Sequence, residues 1–384
     1  MDISINNRFK KLENVIKGQF LNENIKNKLL ALLIFFIVAR YQTTSLNYTI
    51  YKVCMIMTGI ITLILILDSI TKYKPIHYII FGVLTLQMLI IRNPNLLYVY
   101  FLSLAFIDCD MLYVVKVYMI SNVIFFAIYM TMNVTGIRET EFVKGRNDFG
   151  YGNPNSAFIA MFTIWISYLY CKFDELEFVD IAIMLFFALL MYKQTNTRTG
   201  IITVFAITVI IPIIKIFRMD SKFMKIAIPS IPILISLLSL IIAFVFKENT
   251  FLNDVLSSRP LYWNKYLTHP VSGLTLFGHP SDVKEYLFVP KLPFDSGYLT
   301  LMYTFGIVGF VIFIVLYSYT IYKLCLENRK RDIIFIIAIQ VYAFAESMYT
   351  DIATNLAIVL IATAMSSISF MSRSNERRKK CKKV

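Results

Sequence analysis

Apolar runs long enough to cross a bilayer recur along this chain and leave it few alternatives to a bundle of membrane helices. Ile50–Leu67, Ile76–Ile91, Met111–Val134, Met224–Phe246 and Ile333–Tyr349 reach or approach the ~17 residues that a helix needs to span the hydrocarbon. Apolar positions follow one another without the alternation that a lipid-facing barrel strand requires. Charged residues are only 16% of the 384-residue chain, against roughly 25% in soluble domains, too few to keep such runs in water. The expected fold class is therefore an all-α polytopic integral membrane protein of about twelve transmembrane helices. They are placed near 27–44, 50–67, 76–91, 95–108, 111–134, 156–171, 178–192, 200–216, 224–246, 296–322, 333–350 and 352–371.

This spacing divides the chain. Residues 1–28 read as a cytoplasmic leader and not as a cleavable signal, because Lys10, Lys11, Glu13, Lys17 and Glu23 interrupt any apolar core before a cleavage site. Helices 1–9 fall within 29–246, a large external loop within 247–295 between the ninth and tenth spans, helices 10–12 within 296–371, and a basic cytoplasmic tail within 372–384. Basic residues are retained on the cytoplasmic side. An inside amino terminus with an even number of spans places Lys72, Lys74, the Lys215–Lys225 cluster, Arg329–Arg331 and the tail Arg377–Lys383 in the cytoplasm. Both termini are then cytoplasmic and Lys247–Asp295 faces out. The net charge of +14 reports topology and contact with anionic membrane lipid. Nucleic acid is not an expected partner, since no folded reader stands beside the basic tail.

Several chemistries drop out. Cys54, Cys109, Cys171, Cys325 and Cys381 show no CxxC spacing, so neither a disulfide framework nor a zinc site is indicated. His77, His269 and His279 are too scattered for a metal centre, and no Walker-type glycine loop is present. No cofactor and no metal are expected.

Three external elements break the apolar pattern. GRNDFGYGNPNSAF at 145–158 carries Arg146, Asp148, Asn153, Pro154 and Asn155, with turn chemistry and Asn155 or Ser156 placed to cap the next helix. A re-entrant hairpin that merely caps that helix fits the same residues. QTNTRTG at 194–200 sets Arg198 among Thr195, Thr197 and Thr199 at a helix start, where free N–H groups favour anions. An arginine snorkelling to headgroups is the competing explanation, although it has no need of Thr197 and Thr199. SSRPLYW at 257–263 supplies Arg259, whose guanidinium can hold a phosphate in a two-pronged grip that lysine cannot reproduce. Trp263, Tyr262 and Tyr266 offer aromatic faces to a sugar or to the membrane interface. Asp295, before the tenth span, is a candidate base if loop closure desolvates it; a helix cap formed by Asp295 or Ser296 is compatible with that role. Three external arginines and one carboxylate suit an anionic leaving group at a membrane surface, and a lipid-linked pyrophosphate fits both the charge and the apolar surroundings.

In order and sidedness, GRNDFGYGNPN, TRTG, SSRPLYW and DSGYLTLMYTFGIVGF resemble the O-antigen polymerase and ligase superfamily, over roughly 140–320 by motif. The resemblance implies a bacterial membrane glycosyltransferase, independent of metal, that acts at the outer face of the cytoplasmic membrane on undecaprenyl-pyrophosphate-linked glycan as donor and acceptor. Arg198 and Arg259 would contact the pyrophosphate, with Arg146 a third. Asp295 would serve the acceptor hydroxyl, and Asn155, Thr197, Thr199, Trp263 and Tyr298 would line the substrate site. A flippase and a chain-length regulator are the implied protein partners. Ligases of the family typically carry a histidine where the loop enters the next helix; FDSGYL has Asp295 there, which favours the polymerase branch making a capsular or exopolysaccharide. A ligase-like transfer to another acceptor and a polysaccharide flippase or transporter are the alternatives. Against a transporter, the spans hold few charges beyond Lys116, Glu346 and Asp351, no repeated halves are visible, and Glu346 and Asp351 are expected to line the external cavity.

Overall fold

The computed structural model describes residues 20–366 except Ser45, Glu141, Lys144, Val271 and 280–292. The leader up to residue 19, the basic tail and part of the expected external loop therefore lie outside the described residues.

The described residues are mostly helical. The helices are α1 Glu23–Thr43, α2 Tyr48–Asp68, α3 Pro75–Ile91, α4 Asn95–Leu104, α5 Met111–Val134, α6 Pro154–Lys172, α7 Phe178–Thr195 and α8 Arg198–Ile216. They continue as α9 Met224–Ala227, α10 Ile231–Phe244, α11 Thr250–Val255, α12 Arg259–Leu267, α13 Gly297–Leu326, α14 Lys330–Tyr342 and α15 Val359–Ser366. A two-residue antiparallel pair, β1 Phe142–Val143 with β2 Arg146–Asn147, is the strand structure among the described residues. Six helical stretches there are long and apolar enough to cross a membrane: Tyr48–Asp68, Met111–Val134, Pro154–Glu175, Phe178–Thr195, Arg198–Ile216 and Gly297–Leu326. The protein is an all-α membrane protein.

Among the described residues the apolar helices Pro75–Ile91, Asn95–Leu104, Ile231–Phe244 and Leu356–Ser366 are shorter. The run at 224–246 splits where Pro229 and Pro232 flank the start of α10, because proline lacks the N–H that a continuous helix would bond. The expected span 95–108 is helical only to Leu104. The expected span 333–350 stops at Tyr342, and the chain then runs without α-helix to Val359.

α14 is the axis of the bundle. Every residue from Asp332 to Gln340 is buried, the all-round burial expected of a central helix. α6, α8, α10 and α13 pack against it. The outer helices keep broad apolar faces uncovered, among them Phe178, Phe186 and Phe187 of α7, as acyl chains require.

Ionic contacts gather at the two ends of this bundle. At one end Arg331 pairs with Asp174, Arg329 Nε with Asp332 Oδ2 at 2.7 Å, and Lys330 Nζ donates to the Lys215 carbonyl at 2.7 Å. At the other end stand Arg146, Arg198 and Arg259. α8 runs between the two, with Arg198 at its start and Lys215 in its last turn.

Candidate functional site: a convergence of arginines

The three sequence motifs meet at that second end. Arg146, on β2, donates from Nε to the Thr195 carbonyl at 2.6 Å and from Nη2 to Asn155 Oδ1 at 2.6 Å, with Thr197 Oγ1 at 3.3 Å. Thr197 Oγ1 itself approaches Asn155 Oδ1 at 3.4 Å. The first two elements are thus one structure: the start of α6, the end of α7 and the start of α8 are clasped by one guanidinium. The loop that delivers Arg146 is shaped by Asp148, whose carboxylate accepts the N–H groups of Gly150 at 2.9 Å and Gly152 at 2.7 Å. The cap of α6 is Asn153, not Asn155 or Ser156, which frees the Asn155 amide to hold Arg146.

Arg198 is exposed, and its Nη1 donates to the Asp254 carbonyl at 2.8 Å, tying α8 to α11. Beside it, Thr199 is buried and its carbonyl accepts from Thr203 Oγ1 at 2.9 Å.

Arg259 opens α12 and is buried. The turn before it is tight, with Ser257 and Ser258 in the left-handed region at φ 57° and 63°, and Pro260 pre-sets the first helical turn. Arg259 Nη2 donates to Glu346 Oε1 at 3.1 Å and to Asp295 Oδ2 at 3.3 Å, so one nitrogen bridges two carboxylates. Asp295 remains one-third exposed at its side chain while Glu346 is buried. Burial raises the Asp295 pKa above the ordinary carboxylate value, and the Arg259 charge and hydrogen bond pull part of that rise back. Arg146 lies within electrostatic reach of Arg259, Glu346, Arg198 and Asp295; burial first, then the neighbouring guanidinium groups, push its own pKa down.

Glu346, expected from the sequence to line the external cavity but carried by none of the three motifs, is the partner of Arg259 in this centre. It belongs to the non-helical stretch after α14, fixed on both sides. Gly297 N donates to the Ala343 carbonyl at 2.8 Å, and Ser347 Oγ to the Phe294 carbonyl at 3.0 Å, which locks Glu346 to the segment carrying Asp295. Farther on, Arg40 of α1 holds Asp351 with both carboxylate oxygens at 2.6 and 2.7 Å, and Tyr118 Oη reaches the Ala353 carbonyl. Replacing Arg40 or Asp351 with alanine leaves its partner charged in a largely enclosed place. Each single variant should lose roughly 3 kcal/mol of stability, and the double variant less than the sum, as read by thermal unfolding in detergent.

Two expected substrate residues take different places. Trp263 is fully buried and meets the edge of Phe344 at 5.8 Å between ring centres, so it seats α12 on the Glu346 segment and presents no face to a sugar. Tyr298 is also fully buried; its hydroxyl bonds to Gln340 Oε1 at 3.0 Å, which is shared with Tyr349 at 2.6 Å. The half-exposed aromatics at the site are Tyr262 and Tyr266, the latter stacked on Phe294 at 4.3 Å. The cap of α13 is Ser296, which accepts from Leu299 N, leaving the Asp295 carboxylate to Arg259. Among the described residues no group of His, Cys, Asp or Glu is arranged to hold a metal ion.

In charge terms the centre holds three guanidinium groups and two carboxylates. Only Arg259 is paired with carboxylates among the contacts described above; Arg146 and Arg198 are held by carbonyl, amide and hydroxyl oxygens, which orient them without neutralising them. Such a cluster favours an anion with several oxygens. No protein-family model matches the chain, and no curated protein or solved structure matches it either.

Proposed function

We propose that the protein is a polysaccharide polymerase that joins undecaprenyl-pyrophosphate-linked repeat units at the outer face of a bacterial cytoplasmic membrane. In this reading about twelve spans leave both termini in the cytoplasm and the arginine cleft outside. The observation that carries it is that Arg198 and Arg259, from distant segments, both come within electrostatic reach of Arg146, with Arg146 and Arg198 oriented by neutral oxygens. A pyrophosphate leaving group develops charge as its bond to the sugar breaks, and fixed guanidinium groups stabilise that charge most when it is greatest.

The acceptor hydroxyl of one repeat unit attacks the anomeric carbon of the donor glycan. Its proton passes to Asp295, the new glycosidic C–O bond forms, and the bond from the anomeric carbon to the pyrophosphate oxygen breaks. The lipid pyrophosphate departs against Arg198, Arg259 and Arg146. Glu346 orients Arg259, and Asn155, Thr197 and Thr199 hold the remaining donors and acceptors in place.

Purified protein in liposomes, given defined lipid-linked repeat units and no gradient, should build a polymer ladder. Arg198→Ala should cut polymer roughly 10²-fold or more and leave single lipid-linked repeats to accumulate. Because Arg198 is exposed and touches one carbonyl, its stability should change by no more than about 0.5 kcal/mol. Normal polymer length in Arg198→Ala would sink the reading. Transfer only to a chemically different acceptor would indicate a ligase, and gradient-dependent movement of glycan without new bonds a transporter.

A further inference from the structure

The apolar helix α13 is broken at Gly306, which adopts φ 74° and ψ 172°, and the break is mended by a piece of the loop expected to lie in water. Ile307 N donates to the Thr275 carbonyl at 3.0 Å and Val308 N to the Leu276 carbonyl at 3.1 Å, while His279 N donates to the Thr304 carbonyl at 3.1 Å. Thr275 Oγ1 closes the tip, accepting from Gly278 N at 2.8 Å and donating to the Gly278 carbonyl at 3.0 Å. Two glycines permit this. A Cβ on Gly278 would strike backbone at Thr304, and one on Gly306 would strike Gly278 N and the Leu276 carbonyl.

The position of this patch along the bundle can be measured. Gly309, one residue beyond the bonded stretch, would bring a Cβ to 3.2 Å from Gln87 Nε2. Gln87 precedes the end of α3 at Ile91 by four residues, about 6 Å at the helical rise. Arg92 follows, exposed, a charge that belongs with headgroups and not among acyl chains. With Arg92 at the headgroups, the tip of the loop falls at the edge of the hydrocarbon and just within it. There an unpaired backbone group would cost several kcal/mol, which gives the exchanged hydrogen bonds their purpose. Leu276 and Phe277 are 60% and 52% exposed, an extravagance in water but not among acyl chains. Phe277 also lines a cleft with Gln87, Ile90, Phe305 and Gly309, all of them on apolar helices.

We infer that residues 272–279, apart from Val271 beside them, form a re-entrant element whose Leu276 and Phe277 insert into the lipid leaflet on the side of the arginine site. The partner is membrane lipid through its acyl chains, and the inference stands whether or not the proposed activity is correct.

The test places tryptophan at the tip, as Phe277→Trp and separately Leu276→Trp, in nanodiscs whose lipids are brominated at shallow or deep acyl positions. The protein has two native tryptophans, Trp165 and Trp263, both buried, so the signal of the unsubstituted protein is subtracted. Shallow bromines should quench the added fluorescence at least twofold more than deep ones, with little quenching by aqueous iodide. Quenching by iodide without an effect of either bromolipid would overturn the inference. Hydrogen exchange on the unsubstituted protein gives a second reading: peptides covering 304–308 and 274–279 should be protected together, and rapid exchange in both would overturn it as well.

Discussion

Arg259→Ala is expected to abolish polymer formation, by about 10³-fold or more, and to lower stability by about 3–5 kcal/mol. Both effects come from one nitrogen. Arg259 Nη2 bridges Glu346 and Asp295, and without it two carboxylates face each other, one of them buried, with no cation between them. The two effects can be separated. Adding Glu346→Gln to Arg259→Ala removes the orphaned buried charge, so unfolding temperature should recover in large part while polymer stays absent. If polymer returned with stability, Arg259 would be a structural brace and not a group that meets the leaving pyrophosphate. Arg259→Lys should also fail, because an ammonium cannot present the planar fork that serves carboxylate and phosphate at once.

Asp295→Asn should slow polymerisation by about 10²–10⁴-fold, the range lost with a positioned base, while single repeats still bind. The pH profile carries the sharper signature. Burial raises the Asp295 pKa and Arg259 only partly restores it, so the basic form accumulates above the ordinary carboxylate range. The rate of the unsubstituted protein should rise with pH through that raised value, and Asp295→Asn should lose this acidic limb. A mutant that kept the same limb would assign it to another group. Stability has the opposite sign. The folded state holds this proton more tightly than the unfolded chain, whose carboxyl titrates near ~3.9. The contribution of Asp295 to stability is therefore fullest below that pH and falls as pH climbs through the raised folded value.

What could be read in the sequence was the chemistry that the membrane isolates. Arg146, Arg198 and Arg259 stand out because almost everything around them is apolar, and the rule that orients basic loops put all three on one side, where the structure brings them together. Glu346 was less legible as their partner. It sits in the run Ile333–Tyr349, which reads as one continuous span, and no glycine or proline occurs between Tyr342 and Val359 to announce that the helix ends. The available hint was the density of Glu346, Ser347, Asp351, Thr354 and Asn355 in so short a stretch, too polar for a lipid-facing helix. Tertiary bonds from Ser347, Gly297 and Arg40 decide that conformation, and no local pattern records them. Trp263 and Tyr298 show the reverse error: an aromatic beside a polar motif can stack on a sugar or seat a helix, and only burial tells which. The break at Gly306 was hidden for a related reason, since glycine is common in membrane helices and the strand of loop that mends it lies some thirty residues earlier.

The pairing of Arg40 with Asp351 crosses 311 positions of chain, and this sets an order of events during synthesis. α1 is made carrying a cation whose partner has not yet been translated, and Arg259 likewise waits for Glu346. Until Glu346 is made, the Arg259 side of the site cannot take its final shape, whereas the clasp of Arg146 on Thr195, Asn155 and Thr197 can. Chains cut short before Glu346 should therefore leave Arg259 without its buried carboxylate, unfold more readily and be quickly degraded.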